Sequence, residues 1–218
     1  MLTAIIAMQK EADALLRRAD ILKEYDFYGK AAFRARAFGK EFDLIVCGVG
    51  KTNAAACTAL AVGSLGATSL LNFGVAGGIP DRTKIGKIFR IDRAVQYDFD
   101  LSEVNGTAIG TLDEYDSPYF TLKTGNSAFE NAILATGDHF KDGTDELSLL
   151  NGLGAEVRDM EGGAIAHVAQ FTKIPLFMYK AISDEAGKES VSQYKANLEK
   201  ALGNLSDAME IIFGEIDG

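Results

Sequence analysis

The sequence predicts an α/β fold, a single domain over residues 1–218 with three αβα layers around a central mixed, mostly parallel, twisted sheet. Short apolar runs suited to buried strands alternate with stretches whose apolar residues recur every three or four positions. No Pro-, Ser- or Gly-rich linker and no break in composition divides the 218 residues, enough for one sizeable core. The last stretch places Tyr194, Leu198, Leu202, Leu205, Met209 and Ile212 on one helical face, which needs a sheet to lie on.

The elements follow in chain order. Residues 3–8 predict an apolar strand, and 9–19 a helix that starts polar and turns Leu15 and Leu16 inward. Two strands over 31–37 and 42–47 are joined by a turn at Phe38-Gly39-Lys40. Gly48-Val49-Gly50-Lys51 leads into an Ala-rich helix ending near Leu65, whose small side chains allow close packing on the sheet. A buried strand spans 67–73 and a long one 86–97, followed by a polar, irregular section from 98 to 125. A strand near 131–136, a helix over 144–153 and a short strand over 155–159 come next. Glu161 opens an apolar-periodic helix, residues 174–182 form an apolar strand with Asp184 just past its end, and the last helix begins near Ser192. No internal repeat or low-complexity tract interrupts this order.

Thirty-one acidic residues against 22 basic ones give a net charge of −9 and a pI near 4.8. That balance disfavours nucleic acid and anionic membrane as partners and suits a small neutral or cationic ligand. No apolar run reaches the ~20 residues of a membrane span, and the N-terminus lacks a basic region before a cleavable apolar segment, so a cytoplasmic protein is expected. Cys47 and Cys57 fit buried apolar positions better than a disulfide. Two His and two Cys without close ligand spacing offer no metal site.

Two segments carry most of the chemistry: Arg158-Asp159-Met160-Glu161-Gly162-Gly163, and Lys180-Ala181-Ile182-Ser183-Asp184. Each sets a carboxylate where a loop leaves a buried element, the edge of an α/β sheet at which ligands bind. Glu161 at a helix start also suits the positive end of the helix dipole, whose field would keep it ionised. Gly162 and Gly163 each cost a helix about 1 kcal/mol against Ala, which predicts that something large approaches that face. Asp184 fits a turn or cap equally well, and Glu11 a solvated first helical turn. Gly74-Val75-Ala76-Gly77-Gly78 reads either as a tight bend or as a close approach to a ligand, and spacing alone does not separate the two. Gly48-Val49-Gly50-Lys51-Thr52 lacks the spacing of a triphosphate-binding loop, which argues against nucleoside triphosphate hydrolysis.

Those segments, with Ile5-Ile6-Ala7-Met8-Gln9-Lys10-Glu11 at the start, together resemble the nucleoside phosphorylase and nucleosidase superfamily, in particular its methylthioadenosine/S-adenosylhomocysteine nucleosidases. The likeness runs in register along nearly the whole chain and is weakest over 99–130. It implies a phosphorylase/hydrolase-like fold and hydrolysis of the N-ribosidic bond of a 5′-modified purine nucleoside, a step of methionine salvage, with no metal or organic cofactor. The roles it implies are Asp184 as the acid that protonates N7 of the departing purine, Glu11 as the base for water, and Glu161 as the clamp on the ribose hydroxyls. For that, Asp184 needs a pKa above ~3.9, raised by burial or by nearby negative charge.

The resemblance places Met160 under the sugar and Val75, Ala76, Gly77 and Ser183 around the ribose and nucleophile site. Phe140, otherwise a core residue, is set against the purine. Lys141 stands where the family has an aliphatic residue whose backbone binds adenine, Val75 where nucleosidases tend to have Ser, and Lys180 where they have Arg. Phosphorylases of the superfamily carry an early Gly-Asp-Pro segment and an Arg three residues before a Ser or Thr in the Gly-rich segment. Here Met8-Gln9-Lys10, and Asn72 with Val75, provide neither, which favours water over phosphate. A phosphorylase with unusual phosphate ligands, a futalosine-type hydrolase and an inactive nucleoside-binding protein are the alternatives. Relatives are commonly dimers or hexamers, so a homo-oligomer, with a dimer favoured, is implied.

Overall fold

The computed structural model describes residues 1–123, 125–140, 144–185 and 189–216. In order the elements are β1 (Leu2–Ile6), α1 (Gln9–Leu16), β2 (Asp20–Phe27), β3 (Lys30–Ala37), β4 (Lys40–Val46), α2 (Lys51–Leu65), β5 (Ser69–Gly78) and β6 (Ile88–Gln96). There follow α3 (Ser102–Asn105), β7 (Phe120–Thr121), β8 (Glu130–Thr136), α4 (Thr144–Gly152), β9 (Val157–Asp159), α5 (Gly162–Thr172), β10 (Leu176–Glu185) and α6 (Ser190–Glu215).

The α/β expectation holds, but the sheet is not mostly parallel. Among the described residues its strand pairings divide evenly, five parallel and five antiparallel. Nor is it an open layer. The strand order β10-β6-β8-β9-β5-β1-β4-β3-β2 includes a further pairing of β10 with β5, which closes β5, β10, β6, β8 and β9 into a barrel-like ring. Helices cover both outer surfaces. Ala12, Leu15 and Leu16 of α1 and Leu205, Met209 and Ile212 of α6 share one core with Leu44, Leu71 and Phe177. Ala54, Cys57 and Ala61 of α2 and Ile165 and Ala169 of α5 share the other with Ile5, Ile45, Leu70 and Met178. Wholly inaccessible side chains such as Ile5, Leu44 and Leu70 contribute about 1.5–3 kcal/mol each. Cys47 and Cys57 are buried and free, as expected.

Strand β2, to which the sequence reading assigns no element, lies at the end of the strand order and pairs only with β3. Its side chains are mostly exposed, so it carries no apolar periodicity to detect. The turn Tyr28-Gly29 builds it, with φ of 53° and 79°, and Phe38-Gly39 repeats the device at 50° and 78°. Positive φ at both central residues is the two-residue hairpin turn that matches strand twist.

Strand β5 positions the site. One edge pairs with β10 along nearly its whole length. The other edge is shared, β1 taking Ser69–Leu71 and β9 taking Gly77 and Gly78. Between β1 and β9 the ladder has a gap, and there a side chain can take the place of a strand.

Candidate active site

Glu11 fills that gap. It is the third residue of α1, and its Oε2 accepts from the N–H of Met8 at 3.1 Å, which caps the helix start. Its Oε1 accepts from the N–H of Val75 at 2.8 Å. Gly74 makes this possible, since an added Cβ would lie 2.4 Å from Oε1. The segment Gly74–Gly78 is therefore not a turn but the second half of β5, extended by its pairing with β10. Its glycines leave room for neighbouring side chains, Glu11 at Gly74, Arg158 and Asp184 at Gly77, and Thr83 at Gly78.

Asp184 lies within β10 rather than past its end, because the pairing with β5 continues to Glu185. The register slips between Ile182 and Asp184, a bulge at Ser183 that re-aims the next side chain. The Ser183 hydroxyl sits 2.7 Å from Asp184 Oδ1 and 3.3 Å from the Ala76 carbonyl, tying the bulge to β5.

Glu161 is the N-cap residue of α5 but makes no side-chain cap. Its Oε1 instead accepts from the N–H of Gly50 at 2.8 Å. The Gly48–Lys51 turn thus reaches the site, whereas the resemblance implies only a packing role for it. The helix start is held by Asp159, whose Oδ2 accepts from the N–H of Gly162 at 2.9 Å, while Oδ1 accepts from the Thr136 hydroxyl at 2.6 Å. Gly162 and Gly163 face the sheet and not a ligand, since added Cβ atoms would meet Leu134 at 2.3 Å and Thr136 at 2.9 Å.

These parts surround one cavity of about 350 Å³, lined among others by Glu11, Val75, Ala76, Gly77, Phe140, Met160, Glu161, Ser183 and Asp184. Phe140 is 43 % exposed and is not a core residue. It packs edge-on to Tyr194, with ring centroids 5.8 Å apart. Lys141 lies outside the described residues.

The electrostatics depart from expectation at Glu161. Burial first, and then the charge of Asp159, push it up to about 7 against the helix field, with Lys180 and the Gly50 N–H pulling back. Glu11 is likewise pushed up to about 7, by burial, with Lys180 and its two backbone donors opposing. Lys180 Nζ lies 2.9 Å from Asp159 Oδ2, both side chains all but inaccessible. Burial alone would lower the ammonium, but the charges of Asp159, Glu161 and Glu11 hold it above its ordinary range. Asp159 was missed at the sequence level, although a lone cation inside an apolar strand implies a buried acidic partner.

Arg158 and His139 were missed as well. Both line the cavity and converge on Glu146 Oε1, Arg158 Nη1 at 3.6 Å and His139 Nε2 at 3.1 Å. The Tyr97 hydroxyl donates to the same oxygen at 2.6 Å. Asn72, the expected stand-in for a phosphate ligand, is buried and donates through Nδ2 to the Ile5 carbonyl at 2.7 Å. Among the described residues no cluster of three His, Cys, Asp or Glu is placed to hold a metal ion, and no helix is long and apolar enough to cross a membrane.

A crevice lined by three carboxylates, one from α1, one from the start of α5 and one from β10, defines a class of small-molecule enzyme site in an α/β fold. The chain belongs to the phosphorylase superfamily, whose family model matches residues 2–213. It is 26 % identical over 228 residues to the 5′-methylthioadenosine/S-adenosylhomocysteine nucleosidase of Desulfotalea psychrophila, covering 98 % of this chain and 95 % of that one. It is 28 % identical to the aminodeoxyfutalosine nucleosidase of Campylobacter jejuni, over 84 % and 85 % of the two chains. Among solved structures, the methylthioadenosine/S-adenosylhomocysteine nucleosidase of Colwellia psychrerythraea in complex with adenine superposes with a TM-score of 0.89 at 25 % identity, over 99 % and 96 %.

Proposed function

We propose that this protein hydrolyses the N-ribosidic bond of a 5′-modified purine nucleoside of the methylthioadenosine and S-adenosylhomocysteine kind and releases the purine base. The observation that carries this reading is the convergence of Glu11, Glu161 and Asp184 on one cavity, with Glu11 and Glu161 pushed up to about 7. A carboxyl at that pKa exchanges protons efficiently near neutral pH.

In this mechanism the C1′–N9 bond breaks and its electron pair leaves on the base. Asp184 donates a proton at N7, and Glu11 takes a proton from the water whose oxygen bonds to C1′. Glu161 holds the ribose hydroxyls and stabilises the positive charge that develops on the sugar. Met160 lies under the ribose, Val75, Ala76, Gly77 and Ser183 shape its surroundings, and Phe140 packs on the purine. Water is favoured over phosphate because Val75 has no hydroxyl, Asn72 is tied to β1 and Lys180 is paired with Asp159. The match of the family model over 2–213 supports one domain. A cytoplasmic homodimer acting in methionine salvage completes the proposal.

The test is incubation with a nucleoside panel, with and without phosphate, and identification of the products by mass. The expected result is free base and free ribose derivative at a rate unaffected by phosphate. A strict phosphate requirement with a sugar 1-phosphate as product refutes hydrolysis.

A further inference from the structure

Arg158 stands in the cavity wall yet takes no part in the mechanism above. We propose that Arg158 selects the base by binding a 6-oxo group, so that the preferred substrate is a 6-oxopurine nucleoside rather than a 6-aminopurine nucleoside. This goes beyond the reading above: it rests on the proposed hydrolysis of a 5′-modified nucleoside and on the placement of N7 at Asp184, and it replaces adenine by a 6-oxopurine as the favoured base.

Position comes first. A Cβ added to Gly77 would lie 2.9 Å from Arg158 Nε and 3.1 Å from Asp184 Oδ2, so guanidinium and carboxylate flank a single point on the wall. The purine atoms beside N7 are the C8–H group on one side and the exocyclic substituent at position 6 on the other. A donor-rich cation next to Asp184 is matched by the exocyclic substituent and wasted on C–H. Arg158 Cζ also lies 5.6 Å from the centroid of Phe140, the ring assigned to the base, which brings the guanidinium within reach of that base's edge.

Rigidity comes second. Arg158 is 5 % exposed and is anchored by Glu146, itself fixed by the Tyr97 hydroxyl and His139. A preorganised planar fork loses little on binding.

Chemistry decides the preference. A guanidinium carries five N–H donors and no acceptor. The 6-oxo group offers two lone pairs to those donors, while N7 takes the proton from Asp184. A 6-aminopurine turns N–H bonds toward the same donors, and each donor left facing another is buried unsatisfied. As the C1′–N9 bond breaks, N7 receives the proton from Asp184 and Arg158 stabilises the negative charge that spreads onto O6. The choice distinguishes this chain from the Colwellia psychrerythraea structure, which holds adenine.

The experiment compares kcat/KM for 5′-methylthioinosine and 5′-methylthioadenosine, and measures hypoxanthine and adenine binding by calorimetry. It uses the wild type, Arg158→Leu and Arg158→Lys. The expected wild-type preference is roughly 10- to 100-fold for the 6-oxo substrate, the range of a hydrogen bond from a charged donor. It should fall to within about threefold in Arg158→Leu. Arg158→Lys, which keeps a charge beside Glu146 but lacks the fork, should lose most of it while remaining folded. Wild-type preference for the 6-amino substrate, or equal losses on both substrates in the two variants, overturns the proposal. If neither nucleoside is cleaved, the hydrolase reading fails separately and the calorimetry decides this one. Tighter hypoxanthine then supports base selection, whereas tighter or equal adenine, or no binding of either base, overturns it.

Discussion

Replacing Glu11 with Gln removes a single titration and should lower catalysis while making the protein more stable relative to the wild type as pH rises. Glu11 is held at about 7 instead of the 4.5 of an exposed glutamate, so its ionised form is destabilised in the folded protein by roughly 3 kcal/mol. The folded pKa lies above the unfolded one. The stability tied to the protonated carboxyl is therefore complete below about pH 4.5 and is lost as pH rises through about 7. Glu11→Gln abolishes that slope. Its own cost is set by the two backbone bonds to Met8 and Val75, because an amide accepts only one of them and turns N–H toward the other. That cost, about 1–3 kcal/mol, is the same at every pH. Urea unfolding of both proteins at pH 4, 6 and 8 should show the variant gaining about 3 kcal/mol on the wild type across this range. Over the same range, wild-type kcat/KM should climb by up to about a hundredfold per pH unit, because Glu11 and Glu161 must both ionise, and level off above about pH 7. The variant should lie ~10²–10⁴-fold lower and keep only the shallower limb of Glu161, about tenfold per pH unit. Parallel stability curves would mean that Glu11 titrates as an exposed carboxylate, and its assignment as the base would have to be withdrawn.

Lys180→Met leaves Asp159, Glu161 and Glu11 without their shared cation. Urea unfolding at pH 8 should show a loss of about 3–5 kcal/mol, smaller at pH 5 where Glu11 and Glu161 are protonated, and the acidic limb of kcat/KM should move to higher pH. An unmoved limb would separate Lys180 from both carboxyls. Asp184→Asn should lose at least ~10² in rate on a purine nucleoside, yet much less on a nitrophenyl riboside whose leaving group needs no proton. Equal losses on the two substrates would make Asp184 a positioning residue and not the acid.

The order of elements, the apolar strand ending at Asp184 and the Met160-Glu161 junction are properties of residues near one another in the chain. Periodicity reports how each element is buried, and glycines mark where backbone or side chains crowd, so the sequence by itself determined the α/β class, while its resemblance to the superfamily implied nine of the eighteen described residues that line the cavity. It did not determine β2, whose exposed side chains carry no period, nor the course of β5 and β10 through Gly78 and Glu185, which depends on their pairing with each other. The ring closure that turns a layered sheet into a curled one rests on the same pairing. Tertiary structure alone decided that Asp159 meets Lys180, that Arg158 comes to Asp184, and that Glu161 answers to Gly50 instead of its own helix. These groups are separated by about twenty to more than a hundred residues in the chain. Desolvation and Coulomb interaction, the forces that push Glu11 and Glu161 toward neutral pH, depend on distances that exist only once the sheet has closed.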